Sequence, residues 1–329
     1  MFRFIDLFSG IGGFRMGAES AGGECVFSSE CDKFSRKTYL DNFDCQHPFI
    51  GDIALHDINS IPDHEILLAG FPCQPFSSAG KQLGFEHATQ GTLFFNVANI
   101  LAVKQPKAFI LENVKNLIHH NKGDTFNTIL QVLRDELKYH VHYKVIDGVA
   151  FVPQHRRRVF IVGFKDKKDF LWDIKYPDKQ ITLESILHKE DGSEPYVPMD
   201  GYKYFNNNTN SVNNKYILST KLLAFLKAHK AKHEAKGNSW GYKLVTNKDV
   251  SSTLTARYHK DGSDILISRG DQKLPRKLTP RECARLMGFP DTFNIPVSDA
   301  QAYRQFGNSV IVPLVAEICR ITAAHISNP

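Results

Sequence analysis

Cysteine is sparse and scattered in this sequence, and its spacing removes whole classes of chemistry. The six cysteines, Cys25, Cys31, Cys45, Cys73, Cys283 and Cys319, lie far apart with no C-x-x-C pair. That pattern suggests neither a disulfide framework nor a zinc site, so no metal is expected and redox chemistry drops out. Long apolar runs are also missing: no window reads as the roughly 18 or more apolar residues of a membrane span. Met1-Phe2-Arg3 leads straight into an apolar segment and a glycine-rich turn, unlike a signal peptide. The expected location is the cytoplasm, with no membrane partner. Neither charge sign dominates, with 41 Lys and Arg against 35 Asp and Glu. What is present is ordinary for a folded chain: 329 residues, 42% hydrophobic and 23% charged, enough for one large α/β domain and a smaller second one.

The charge is distributed unevenly. Residues 1–60 carry five basic and nine acidic side chains, a net −4, whereas residues 203–260 carry eleven basic and two acidic, a net +9. Such a run is commonly a solvated face, but a polyanion is the natural partner to expect for the later region.

Two glycine-rich or proline-rich turns follow apolar runs near the N-terminus. Arg3 to Phe8 reads as a buried strand, and Ser9-Gly10-Ile11-Gly12-Gly13-Phe14 turns it into a helix. Glycines there let the backbone approach a cofactor with helix N–H groups aimed at it, a device that dinucleotide enzymes also use. A second strand, Glu24 to Ser28, ends near Glu30 and Cys31, where an acid could bind a ribose hydroxyl pair; NAD enzymes place an acid similarly. A helix from Lys33 to Asn42 precedes Gly51-Asp52-Ile53, and Ile66 to Ala69 reads as another strand. It ends in Gly70-Phe71-Pro72-Cys73-Gln74-Pro75-Phe76-Ser77, a stiff loop that puts a thiol at the carboxyl edge of a sheet, where ligands bind in open parallel sheets.

These residues resemble the motifs of the DNA (cytosine-5)-methyltransferases, in the family's order. Phe8, Gly10, Gly12 and Gly13 are similar to its first motif, Gly51-Asp52-Ile53 to the third, and Pro72-Cys73 to the fourth. Gly91-Thr92-Leu93-Phe94-Phe95 resembles the fifth and Glu112-Asn113-Val114, behind the strand Lys107 to Leu111, the sixth. Gln154-His155-Arg156-Arg157-Arg158, before the strand Val159 to Gly163, resembles the Q-x-R-x-R motif; alternation sends Arg156 and Arg158 to one face and Arg157 to the other. Residues 277–290 and Gln305-Phe306-Gly307-Asn308-Ser309-Val310 resemble the last two motifs, with Thr279, Pro280 and Glu282 predicting a capped helix. One departure stands out: His87 and Gln90 occupy positions where the family commonly has an acid and an arginine.

The resemblance implies an α/β fold with a Rossmann-like, mainly parallel sheet that binds S-adenosylmethionine, and a smaller irregular and β recognition domain. The expected boundaries are 1–179 with 273–329 for the first and 180–272 for the second. It implies methyl transfer to C5 of a cytosine in double-stranded DNA, with Cys73 as nucleophile and Glu112, Asn113, Arg156 and Arg158 as its catalytic companions. The cofactor would be held by Phe8, Ser9, Gly10, Gly12, Gly13, Glu30, Cys31, Asp52, Ile53, Pro72, Leu93, Asn308, Ser309 and Val310. DNA would be met by Ser77 at the end of the Gly70–Ser77 loop, by Gln82 on a flap spanning Gly80 to Glu86, and by Trp240, Tyr242, Thr253, Arg257, Tyr258 and Lys260 in basic, glycine-rich loops. A monomer paired functionally with a cognate restriction endonuclease, and a short CC…GG target methylated at its inner cytosine, complete the expectation. A transfer-RNA cytosine methyltransferase and a DNA-binding regulator without catalysis are the alternatives.

Overall fold

In the computed structural model, the described residues are 1–72, 93–166, 169–238 and 241–327. Cys73, Ser77, Gln82 and Trp240, together with the flap and the start of the fifth motif, lie outside them.

The apolar runs form a seven-stranded sheet of β1 (Phe2–Leu7), β2 (Gly23–Ser29), β3 (Phe49–Ile50), β4 (Ile66–Gly70), β5 (Ala108–Val114), β6 (His140–Asp147) and β7 (Arg157–Phe164). Their order is β3-β2-β1-β4-β5-β7-β6. The first five are parallel, and β7 is antiparallel to both β5 and β6. Strands buried on both faces need apolar side chains at every position. Phe4, Ile66 and Leu68 accordingly face one core, while Ile5, Leu7, Leu67 and Ala69 face the other.

Helices α1 (Gly13–Ser20) and α2 (Lys33–Asn42) lie in the connections from β1 to β3, and α3 (Leu93–Lys104) lies between β4 and β5. The direction of winding therefore reverses between β1 and β4, and the crevice beyond their carboxyl ends is where such sheets bind ligands. Helix α4 (Asp124–Gln131) joins α3 in covering one face. The other is covered by α1 and α8 (Val312–Ser327), which pack against each other.

The C-terminal segment corrects the expectation about apolar length. Residues 299–327, comprising α7 (Asp299–Asn308), a turn and α8, contain an 18-residue window of mean hydropathy 1.6, long and apolar enough by length and composition to cross a membrane. Half of that window is buried within the fold, as a core helix would be.

Between about 180 and 277 the described residues form only two-residue strands: β8 (Phe205–Asn206) with β9 (Ser211–Val212), and β10 (Leu244–Val245) with β11 (Leu266–Ile267) and β12 (Arg276–Lys277). The lysine-rich helix of this basic region is α5 (Thr220–Glu234). Ser219 starts it by accepting the Leu222 N–H, while Asn214–Tyr216 form a separate 3-10 turn. Helix α6 (Pro280–Leu286) carries the expected capping box of Thr279 and Glu282.

Candidate active site

A cavity of about 560 Å³ opens at the reversal point between β1 and β4. Its walls are the turn after β1, the end of β2, the Gly70–Pro72 loop, the ends of β5 and β7, and α7 with its following turn. That volume is in the usual range for a small-molecule site, roughly 300–1,000 Å³.

The turn after β1 owes its shape to local backbone geometry. Gly12 has φ +85°, and a Cβ there would lie 2.2 Å from the Phe43 ring. The Ser9 N–H donates to the Ser29 carbonyl, and the Gly10 N–H donates to Glu30 Oε2 at 2.8 Å. Glu30 also accepts the Asp32 N–H at 2.7 Å, so one carboxylate ties the turn to the end of β2. Burial pushes the Glu30 carboxyl above its ordinary range, against the pull of these N–H groups. From the opposite side, Ser309 and Val310 close on Gly13, whose missing Cβ would come within 2.7 Å of Ser309 Oγ.

Two side-chain atoms test whether a polar ligand fits here. Ser9 Oγ and Gln305 Nε2 are buried and have no hydrogen-bond partner among the described residues, and both residues line the cavity. The Gln305 amide is oriented by its oxygen, which accepts from Thr38 Oγ1 at 3.0 Å, leaving the NH₂ as an available donor. A polar cofactor such as S-adenosylmethionine satisfies such groups, whereas an apolar one leaves them buried and unpaired.

At the other end of the cavity the strands present a buried acid. Glu112 lies beside Gly70 in the pairing of β5 with β4 and is 9% exposed. Its Oε1 meets Arg158 Nε at 2.9 Å. Burial raises the Glu112 carboxyl above the usual carboxylate range, with Arg158 and then Arg156 opposing. Asn113 donates from Nδ2 to the Phe71 carbonyl at 2.7 Å, which fastens β5 to the loop that leads into Pro72. A carboxyl raised in this way holds a proton more readily than an exposed one, as a general acid requires.

Of the residues expected at the cofactor, Phe8, Ser9, Gly10, Gly13, Glu30, Cys31, Pro72, Leu93, Asn308, Ser309 and Val310 line this cavity, as do Glu112, Asn113, Arg156 and Arg158. Gly12, Asp52 and Ile53 are not on its wall. Asp52 instead accepts the Ala54 N–H as a cap, and Ile53 is buried in the core. Arg157 turns away to Asp147, as the alternation required.

Arg156 corrects a simple reading of the motif. Its guanidinium does not stand free beside that of Arg158; it is 2% exposed and donates to the carbonyls of Leu254, Gly307 and Ser309. Tyr258 is a second correction. Expected to meet DNA, it is 1% exposed, its hydroxyl donating to the Ile265 carbonyl and accepting the Leu278 N–H. An aromatic ring with both hydroxyl functions used inside belongs to the core.

Arg257 and Lys260 are exposed, while Tyr242 packs on a small cluster with Leu218, Leu226 and Leu266. Thr253 hydrogen-bonds the His155 carbonyl. Sequence reasoning missed Ile11, Phe14, Ser35, Gln301, Arg304 and Gln305 on the cavity wall. Gln305 opens the last quoted motif, which was not read as aiming it at a ligand; Gln301 lies one turn and Arg304 one residue before it on the same helix.

Comparison with known proteins agrees with this arrangement. The chain is 44% identical to a DNA-cytosine methyltransferase of Escherichia coli (strain K12), covering 97% of this chain and 77% of that protein. It is 47% identical to Type II methyltransferase M1.ScrFI of Lactococcus lactis subsp. cremoris, over 96% of this chain and 77% of that one. Identity is 43% to Type II methyltransferase M.HpaII of Haemophilus parainfluenzae, over 95% and 87%. Among solved structures, Spodoptera frugiperda DNMT2 shares the fold with a TM-score of 0.72 at 21% identity, covering 98% of this chain and 100% of that one. A sequence profile described as C-5 cytosine-specific DNA methylase matches residues 2–322, and the chain belongs to that family, whose members methylate cytosine in DNA from S-adenosylmethionine.

Proposed function

We propose that methylation proceeds through a covalent bond between Cys73 and C6 of a cytosine flipped out of duplex DNA, with Glu112 as proton donor. The observation that carries this reading is the buried, raised Glu112 carboxyl held by Arg158 beside the strand end that leads into Pro72. C5 of cytosine is a poor nucleophile. Addition of the Cys73 thiolate at C6 forms an S–C6 bond and pushes the ring electrons toward C5 and N3, and proton donation from Glu112 to N3 accommodates them. Arg158 contacts the ring oxygen, and Asn113 holds the Phe71 carbonyl so that the following loop enters at a fixed angle.

S-adenosylmethionine supplies an electrophilic methyl group on its sulfonium. Residues fitted to hold it are the Phe8–Gly13 turn, Glu30 and the Asn308–Val310 turn. With the methyl on C5 and S-adenosylhomocysteine as the leaving group, the C5 proton would pass to solvent as the ring electrons expel the thiolate and break the S–C6 bond, and N3 would return its proton to Glu112. C6 is inaccessible inside a stacked duplex, so the base leaves the helix.

For the target, the reading is a short CC…GG site, methylated at the inner cytosine, with Arg257 contacting a guanine. Arg257 is exposed on a loop beside the cavity's α7 wall. A bidentate Arg–guanine contact discriminates by roughly 1–3 kcal/mol. The enzyme acts as a monomer and protects DNA from a cognate endonuclease, in line with the Type II names of its relatives.

The test uses labelled S-adenosylmethionine with duplex DNA or transfer RNA. Wild-type protein labels the duplex only, Cys73→Ala labels neither yet still binds duplex, and a duplex with 5-fluorocytosine at the target gives a denaturant-resistant adduct. An active alanine variant would end the nucleophile assignment, and labelled transfer RNA would favour the alternative substrate. Bisulfite sequencing of plasmid from expressing cells checks the site; methylated cytosines outside CC…GG would overturn that part alone.

A further inference from the structure

The buried Arg156 joins two loops that chain order keeps far apart. Its Nη1 donates to the Leu254 carbonyl at 2.9 Å, and its Nη2 to the carbonyls of Gly307 at 3.0 Å and Ser309 at 2.6 Å. Leu254 belongs to the loop that exposes Arg257 and Lys260, whereas Gly307 and Ser309 belong to the cavity wall. None of residues 251–260 lines that cavity.

Three further contacts make this junction stiff. The Leu254 N–H donates to Gln154 Oε1, so Gln154 and Arg156 hold both sides of one residue's backbone. The Ser251 N–H donates to the Pro153 carbonyl and the His155 N–H to the Ser251 carbonyl, laying residues 251–254 along residues 153–156. Gly307 then packs directly on the loop's backbone, where a Cβ would come within 2.4 Å of Ala256 N. A buried guanidinium with carbonyl partners in two segments ties their positions together, because displacing either one strands a desolvated charge.

We propose that Arg156 is a positioning residue that couples cofactor binding to DNA binding. Cofactor in the cavity and DNA on the 251–260 loop favour the same clamped arrangement, so each ligand tightens the other by the same factor. This rests on the reading of the cavity as the cofactor site and of the loop as the DNA face.

Two experiments decide it. In wild-type protein, S-adenosylhomocysteine without DNA should slow amide hydrogen exchange across residues 251–258 as well as across 8–14 and 307–310. Slowing confined to 8–14 and 307–310 would overturn the coupling, while no slowing at those two segments would sink the cofactor assignment itself, a separate failure. In the second, cognate duplex should tighten S-adenosylhomocysteine binding to wild type by roughly tenfold, within the usual range of about 5–150-fold for coupled sites. A lysine at this position offers one ammonium for three carbonyls, so in Arg156→Lys the factor should fall close to one. A folded Arg156→Lys protein that keeps the wild-type factor would refute the proposal; should the variant not fold, the exchange result on wild-type protein decides alone.

Discussion

In the sheet, strands β1, β2 and β4 to β7 run five to eight residues, while each strand among the described residues between about 180 and 277 is two residues long. The first region is held by continuous apolar faces on both sides of the sheet. The second is fastened by polar groups to α6: Arg276 grips Glu282 with two hydrogen bonds, Arg281 grips Asp200 likewise, and Arg285 reaches Glu194. His188 joins this set, facing Glu194 through Nδ1 and Thr279 through Nε2. An irregular segment has few ladder bonds to supply, so its interior backbone and ionic groups find partners one by one. The contrast separates a scaffold built from repeating interactions from a segment whose shape depends on individual pairs.

The largest expected effect removes chemistry from the first region without disturbing it. Glu112→Gln keeps the shape and the Arg158 contact but has no acidic proton to give, so single-turnover methylation should fall by about 10²–10⁴-fold while DNA and S-adenosylhomocysteine binding persist. A loss of less than tenfold would remove Glu112 from the proton path.

Next comes the ionic fastening of the second region. Glu282→Gln leaves Arg276 buried with its partner's charge gone, and losing one member of a buried pair costs about 3–5 kcal/mol. Burial opposes the charge on Glu282, but Arg276 and then His188 outweigh it and hold its carboxyl down at about 2. Its folded value is thus below its unfolded one, so this stabilisation is present above pH 4.5 and is lost as pH falls toward 2. Denaturation midpoints measured against pH should show that loss in wild type and not in the variant.

Asp6 in β1 is the opposite case and sharpens the comparison. It is fully buried, and burial, offset only in part by the charge and backbone N–H of Arg15, pushes its carboxyl up to about 8. Folded protein keeps a proton that the unfolded chain releases near 3.8, so stability declines as pH rises from there to about 8. Asp6→Asn should flatten that decline in the same denaturation series, and an unchanged slope would show that Asp6 is ionised in the fold.

The smallest effect concerns the exposed lysines of the second region. Each phosphate contact contributes about −0.9 to the log–log slope of DNA affinity against salt. Neutralising Lys221 with Lys227, or Lys243 with Lys248, should flatten the slope accordingly when binding is titrated at several ionic strengths. An unchanged slope would return these lysines to ordinary solvated positions.

The sequence by itself determined the elements whose causes are local. Apolar runs bounded by glycine and proline marked β1, β4 and β5, Asp32 before Lys33 and Thr279 before Pro280 capped helices at the expected residues, and the alternation of Arg156, Arg157 and Arg158 predicted which faces they take. It also put Glu112 at the edge beside Gly70, because strand order and turn chemistry together fix that edge. Only the tertiary structure decided what the same residues touch. Tyr258 looks like a loop aromatic until Ile265 and Leu278 enclose it, and Arg156 looks like a substrate contact until the carbonyls of Leu254, Gly307 and Ser309 take its protons. Those partners lie 98 to 153 residues away from Arg156. Hydrogen bonds to backbone carbonyls carry no side-chain signature, so no spacing in the sequence could have announced them.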